Sequence, residues 1–131
     1  MTSPAAASPA IGRIGQIALS VQDLDRATAF YRDTLGLKHL FTAPPGMAFF
    51  DCGGVRLLLG KQELSPTPFV LYYQVEDMDA AHAAITARGA TVITAPHRVA
   101  RLPDHDLWLG EYRDSEDHIF ALMHEVRPPA P

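Results

Sequence analysis

At 131 residues and 47% hydrophobic content, the chain has one domain's length and enough apolar surface for a packed core. Its net charge of -4 provides no broad basic surface, which argues against nucleic acid or an anionic membrane as partner. The lone cysteine, Cys52, has no internal disulfide partner and reads as a small buried hydrophobe, and no run is apolar enough to span a bilayer.

In chain order, residues 1–10 have neither a basic start nor an apolar run. They read as a disordered tail rather than a signal peptide, so the expected location is cytoplasmic. Residues 14–21 then alternate, with Ile17, Leu19 and Val21 on one side and Gln16, Ala18 and Ser20 on the other, as in a strand with one apolar face. The period changes at Leu24, Ala27, Tyr31 and Leu35 to helical spacing, with Asp23 placed to cap the first turn and Gly36 to stop the helix. Phe30 reads as a core aromatic.

Leu37–Thr42 reads as a strand and Pro44–Gly46 as a turn; Met47–Asp51 and Val55–Gly60 flank Gly53-Gly54, a hairpin signal. Residues 61–68, with Pro66 and Pro68, read as a linker. The strand 69–75 and helix 77–88 follow, and the text Val75-Glu76-Asp77-Met78-Asp79-Ala80-Ala81 echoes Val21-Gln22-Asp23-Leu24-Asp25-Arg26-Ala27, 54 positions earlier. Met78, Ala81 and Ile85 repeat the core stripe, and Gly89 repeats the stop. Two copies of one supersecondary unit are the simplest reading. Strands are expected over 90–95, 107–112 and 119–124, with a longer polar connection over 96–106 and a frayed tail over 127–131. Trp108 reads as a core aromatic, and His82, in a surface-like context or in no recognisable constellation, is assigned no role.

These residues resemble the vicinal oxygen chelate superfamily, the glyoxalase, bleomycin-resistance and extradiol dioxygenase fold. The matching text is Ile17-Ala18-Leu19-Ser20-Val21-Gln22-Asp23-Leu24-Asp25-Arg26-Ala27, Phe30-Tyr31, Leu35-Gly36-Leu37, the second copy, and Tyr112-Arg113-Asp114. The resemblance implies an α+β fold: two βαβββ modules forming a curved mixed sheet around a cleft, with helices on the outer face. It covers residues 11–126 as a single domain, with module one over 11–60 and module two over 69–126. Chains of this size in the family are usually dimers, so a homodimer is expected.

Metal-using relatives place one ligand on the first and one on the last strand of each module. Carried over, those positions are Gln16, Leu58, Val70 and Ala121. Only Gln16, which matches the glutamine or histidine of glyoxalase I-like relatives, has a lone pair to offer. No metal and no cofactor are therefore expected. The final turn, Asp114-Ser115-Glu116-Asp117-His118, replaces the family's usual Asp-Pro-Asp-Gly-Asn and puts Asp117 where a positive φ is required.

Strand alternation places Arg56, Leu58, Val70, Tyr72, Gln74, Ile119, Ala121 and Met123 on the face of Gln16. For the penultimate strand, Trp108, Gly110 and Tyr112 fit as well as Leu107, Leu109 and Glu111; the resemblance selects the latter set. The expected ligand-binding residues are thus Gln16, Arg56, Leu58, Val70, Tyr72, Leu107, Leu109, Glu111, Ala121 and Met123, around a small organic molecule. Arg56 is the candidate anchor for a carboxylate or phosphate, and Glu111 the candidate proton acceptor. His97, Asp104, His105 and Asp106 form the one dense polar cluster, which fits a solvated loop as well as an acid–base pair through His105. The favoured function is a metal-independent binding protein. The rival is an enzyme: a glyoxalase I-like lyase or isomerase, a dioxygenase-like protein, or a metal-free catalyst using Glu111 or His105.

Overall fold

The computed structural model describes residues 9–62 and 67–128, so the expected tails lie partly, and the centre of the expected linker wholly, outside the described residues. The chain divides into two compact units, residues 14–71 and residues 72–131 together with the N-terminal residues up to Arg13. The architecture is α+β with two βαβββ modules, as expected from the repeat.

The first module runs β1 (Ile14–Val21), α1 (Leu24–Ala29), β2 (Lys38–Ala43), β3 (Met47–Cys52) and β4 (Val55–Lys61). Its strands lie in the order β2-β3-β4-β1, with β1 parallel to β4 and the other pairs antiparallel. The apolar side of the alternation meets the helix. Leu24, Ala48, Phe50, Leu57 and Leu59 form a buried cluster, against which Ile17, Leu19, Val21, Ala27, Tyr31 and Leu37 pack. Each fully buried side chain of this kind contributes about 1.5–3 kcal/mol of transfer free energy.

Asp23 caps α1, its carboxylate accepting from the Arg26 N–H at 2.9 Å. The helix does not continue regularly to Gly36. Residues Phe30–Thr34 form a π-helical turn, in which the Leu35 N–H reaches back five residues to the Phe30 carbonyl at 3.1 Å. A wider turn rotates later residues off the 3.6-residue stripe. Leu35 is accordingly 52% exposed and Phe30 49% exposed, against expectation, while Leu37 packs on the core instead. Gly36 closes the segment at φ 71°, a conformation glycine adopts without strain. At the β3–β4 hairpin, Gly53 and Gly54 both have positive φ, which the tight turn requires. Cys52 sits at the edge of that turn and is exposed, not buried.

The second module runs β5 (Phe69–Gln74), α2 (Met78–Ala87), β6 (Thr91–Arg101), β7 (Asp106–Arg113) and β8 (Ile119–Val126), in the order β5-β8-β7-β6. The Asp77 carboxylate caps α2 through the Ala80 N–H at 3.0 Å, repeating Asp23. Val75, Met78, Ala81, Tyr112 and Leu122 form its buried cluster, with Tyr73, Ile85, Trp108 and Phe120 packed on it. His82, to which the sequence assigns no role, has its Nδ1 2.8 Å from the Tyr112 hydroxyl, in a part-buried contact.

The expected polar connection over 96–106 is largely strand. β6 continues to Arg101, with three register shifts against β7. Pro96 is tolerated because β6 is an edge strand and one of those shifts falls beside it. In the β7–β8 turn Asp117 has φ 64°, the positive value its position implied. Among the described residues, no helix is long and apolar enough to cross a membrane.

Candidate functional site

On each module, alternation leaves one sheet face away from the helix. In the first module the strand registers order that face into three rows. Lys38, Asp51, Arg56 and Gln16 form the first row; Phe41, Phe49, Leu58 and Ala18 form the second; Ala43, Met47, Gly60 and Ser20 form the third. A bulge at Leu40 in β2 brings Phe41 opposite Phe49, and their rings stack with centroids 4.5 Å apart. The Arg56 guanidinium lies over the other aromatic neighbour, 5.5 Å from the Phe49 centroid.

Arg56 is half-buried and makes no ion pair among the described residues. Its register partner Asp51 turns instead to the hairpin, accepting from the Gly54 N–H at 3.1 Å. The face therefore offers a guanidinium over Phe49, at the strand position in register with Gln16, next to an apolar floor. Such a fork binds a carboxylate or phosphate bidentately.

In the second module the face away from α2 carries Tyr72 and Gln74 from β5, with Ile119, Ala121, Met123 and Glu125 from β8. From β7 it carries Leu107, Leu109, Glu111 and Arg113, since Trp108 and Tyr112 pack on the core. Glu111 pairs in register with Ala121, and Leu109 with Met123. The shifts in β6 set Thr94 beside Glu111 and His97 beside Leu109. Val70 and Ala121 are buried, so neither presents more than a methyl-lined wall.

A divalent metal at the family positions would meet one donor, the Gln16 amide oxygen. Leu58, Val70 and Ala121 have only aliphatic side chains, whereas a catalytic metal is typically held by about three protein ligands. These residues do not fit a metal centre. Among the described residues, no group of three or more His, Cys, Asp or Glu side chains is arranged to hold a metal ion.

The polar cluster of 97–106 separates into two ion-pair groups. Asp106 lies between Arg98 at 3.7 Å and Arg101 at 3.9 Å. His105 joins a closed ring, with Nδ1 at 2.8 Å from Asp104 and Nε2 at 3.5 Å from Glu125. Arg127 completes it, at 2.8 Å from Asp104 and 3.2 Å from Glu125. Arg127 and His105 hold the Asp104 carboxyl below the usual carboxylate range. The His97 Nδ1 lies 3.0 Å from the Ala95 carbonyl.

Phe41, Phe49, Asp51, Gly60 and Thr94 were not among the expected site residues, and His97 was expected only as part of the polar cluster. Alternation within Met47–Asp51 would have assigned Phe49 and Asp51 to the face of Arg56. The bulges that place Phe41 and His97 leave no trace in composition or period. Two hollows within single modules lie away from this face: one of about 500 Å³ is bounded by Leu24, Thr42, Pro44 and Lys61, and one of about 570 Å³ by Ile85, Arg88, Arg113 and Phe120. Neither gathers a convergent set of reactive groups.

A family model, that of the Glyoxalase/Bleomycin resistance protein/Dioxygenase superfamily, matches residues 13–103. The chain belongs to that superfamily, the vicinal oxygen chelate proteins, as its paired βαβββ modules indicate. It is similar to a superfamily member from Vibrio splendidus, at 14% identity and a TM-score of 0.72, over 87% of this chain and 98% of that one. A Streptomyces coelicolor methylmalonyl-CoA epimerase in complex with 2-nitronate-propionyl-CoA matches at 20% identity and a TM-score of 0.69, over 91% and 99%. The Mn(II)-bound glyoxalase from Novosphingobium aromaticivorans matches at 18% identity and a TM-score of 0.70, over 92% of this chain and 42% of that one. At these identities the likeness is one of fold. No curated protein sequence matches the chain.

Proposed function

We propose that the protein is a metal-independent member of the superfamily that binds a small organic anion on the helix-free sheet face, with Arg56 as anchor. The observation that carries this reading is the Arg56 guanidinium, stacked 5.5 Å from the Phe49 centroid, beside Gln16 and unpaired by any carboxylate among the described residues. The contact with Phe49 favours a guanidinium already placed on this face, which lowers the ordering cost of binding. Leu58, Val70 and Ala121 support the metal-free part of the reading, since they remove three of four donors. The experiment is isothermal titration with aromatic carboxylates, phosphorylated metabolites and their neutral analogues. Anions should bind and neutral analogues should not; equal binding of both overturns the anchor.

The reading includes a homodimer in the cytoplasm. Edge strands β2 and β6 expose Leu40, Phe41, Val92, Ile93 and Val99, apolar surface that a second chain would cover. The exposed free thiol of Cys52 suits a reducing compartment. Light scattering should give twice the 14.3 kDa chain mass.

A second reading, a metal-free acid–base enzyme, is favoured by one arrangement in the second module. The β6 register shifts bring Thr94 and His97 alongside Glu111 and Leu109 on the helix-free face. Turnover of a bound ligand that is lost in Glu111→Gln would select this reading over simple binding.

A further inference from the structure

The far end of the first module's helix-free face holds an anomaly. The Ser20 hydroxyl is buried and has no hydrogen-bond partner. A buried polar group without a partner is costly, so a hydroxyl left in this state calls for an explanation. Its register partner in parallel strand β4 is Gly60, so the two residues face the same side. Gly60 is itself buried, yet a Cβ built on it would meet nothing within 4 Å. Its backbone is not in the left-handed region, so glycine there supplies space rather than conformation. The unpaired hydroxyl thus lies in register with a glycine whose missing side chain leaves its Cβ position open.

The Ser20–Gly60 pair and the Arg56–Gln16 pair lie at opposite ends of the same two strands, four residue positions apart. At about 3.3 Å per residue the rows are about 13 Å apart, part of which the arginine side chain spans. Between them runs the flat apolar floor of Ala18 and Leu58, flanked by Phe49. We propose that the ligand is a planar aromatic acid carrying a second hydrogen-bonding group at the end away from the acid, received by Ser20 over Gly60. This rests on the Arg56 anchor proposed above and specifies the ligand that the anchor holds. A serine hydroxyl both donates and accepts, so the distal group is a phenol, a carbonyl or an amide.

The test compares para-hydroxycinnamate with cinnamate by isothermal titration against the full chain. The wild-type protein should bind the hydroxylated acid about three- to tenfold more tightly, the range of a neutral hydrogen bond. Ser20→Ala should abolish that preference without lowering the melting temperature, because the hydroxyl has no partner to lose. Gly60→Ala should abolish it too by filling the space beside the hydroxyl, and its methyl meets nothing within 4 Å. Equal affinity of the wild type for both acids, or a preference that survives Ser20→Ala, overturns the subsite. In that event Arg56→Met separates the claims. If the variant loses cinnamate, the anchor stands and only the distal group is wrong. If neither acid binds the wild type, anchor and subsite fall together.

Discussion

Arg56 lies with its guanidinium carbon 5.5 Å from the centre of the Phe49 ring, on neighbouring strands of the first module. The ring holds the cation in place without neutralising it, so the charge stays available to a ligand. Arg56→Met should weaken organic anions by about 1.5–3 kcal/mol while leaving the melting temperature nearly unchanged. Arg56→Lys should recover only part of the loss, because an ammonium lacks the planar fork. Titration calorimetry on the three proteins checks both statements, and unchanged affinity in Arg56→Met contradicts them.

The two helix caps should be equivalent. Asp23 and Asp77 each accept one backbone N–H three residues on, at 2.9 and 3.0 Å. Replacing either by alanine should lower the unfolding free energy by about 1 kcal/mol. Urea unfolding of both variants measures it; a neutral Asp77→Ala variant would show that the cap does not hold α2.

Gly110 and Tyr112 should be energetically coupled. A Cβ on Gly110 would lie 2.5 Å from the Tyr112 hydroxyl, which is fully buried and held 2.8 Å from His82. Gly110→Ala should therefore cost about 1–3 kcal/mol by overpacking. Tyr112→Phe should cost about 1 kcal/mol through the lost hydrogen bond, and in that background Gly110→Ala should cost less. A double-mutant cycle with strictly additive terms would refute the coupling.

The β7–β8 turn should make stability fall on acidification. The backbone N–H groups of Glu116 and His118 donate to Asp114 and hold its carboxyl below the usual carboxylate range. A depressed pKa contributes stability that is full above the unfolded-state value, about 4, and is lost as pH falls through the folded value. Below about pH 4 the wild type should lose stability more steeply than Asp114→Asn. Parallel slopes for the two proteins over that range would exclude this source.

Both modules were legible because the cap and stripe recur as Asp23, Leu24, Ala27 and Asp77, Met78, Ala81. Period two also separated Ile17, Leu19 and Val21, which pack on the core beneath the helix, from Gln16, Ala18 and Ser20, which lie on the other face. Three features stayed hidden for physical reasons. The π-helical turn at Phe30–Thr34 changes the helical period within a single turn, so Leu35 looked like core and is exposed. Bulges in β2 and β6 shift the facing residue by one, which placed Phe41 and His97 beyond any alternation argument. The ring joining His105 to Arg127 depends on the β6–β7 turn meeting the end of β8, a tertiary contact that local pattern does not encode.

Metal independence of anion binding is the central claim, and one titration tests it most directly. Cinnamate is titrated into protein stripped of metal with EDTA, then into the same protein with added Ni²⁺, Zn²⁺ or Mn²⁺. Gln16 alone among the four family positions can donate, so the affinity should be the same in every arm and should drop in Arg56→Met. Binding that appears only when a divalent metal is restored, and that is indifferent to Arg56, would contradict the account.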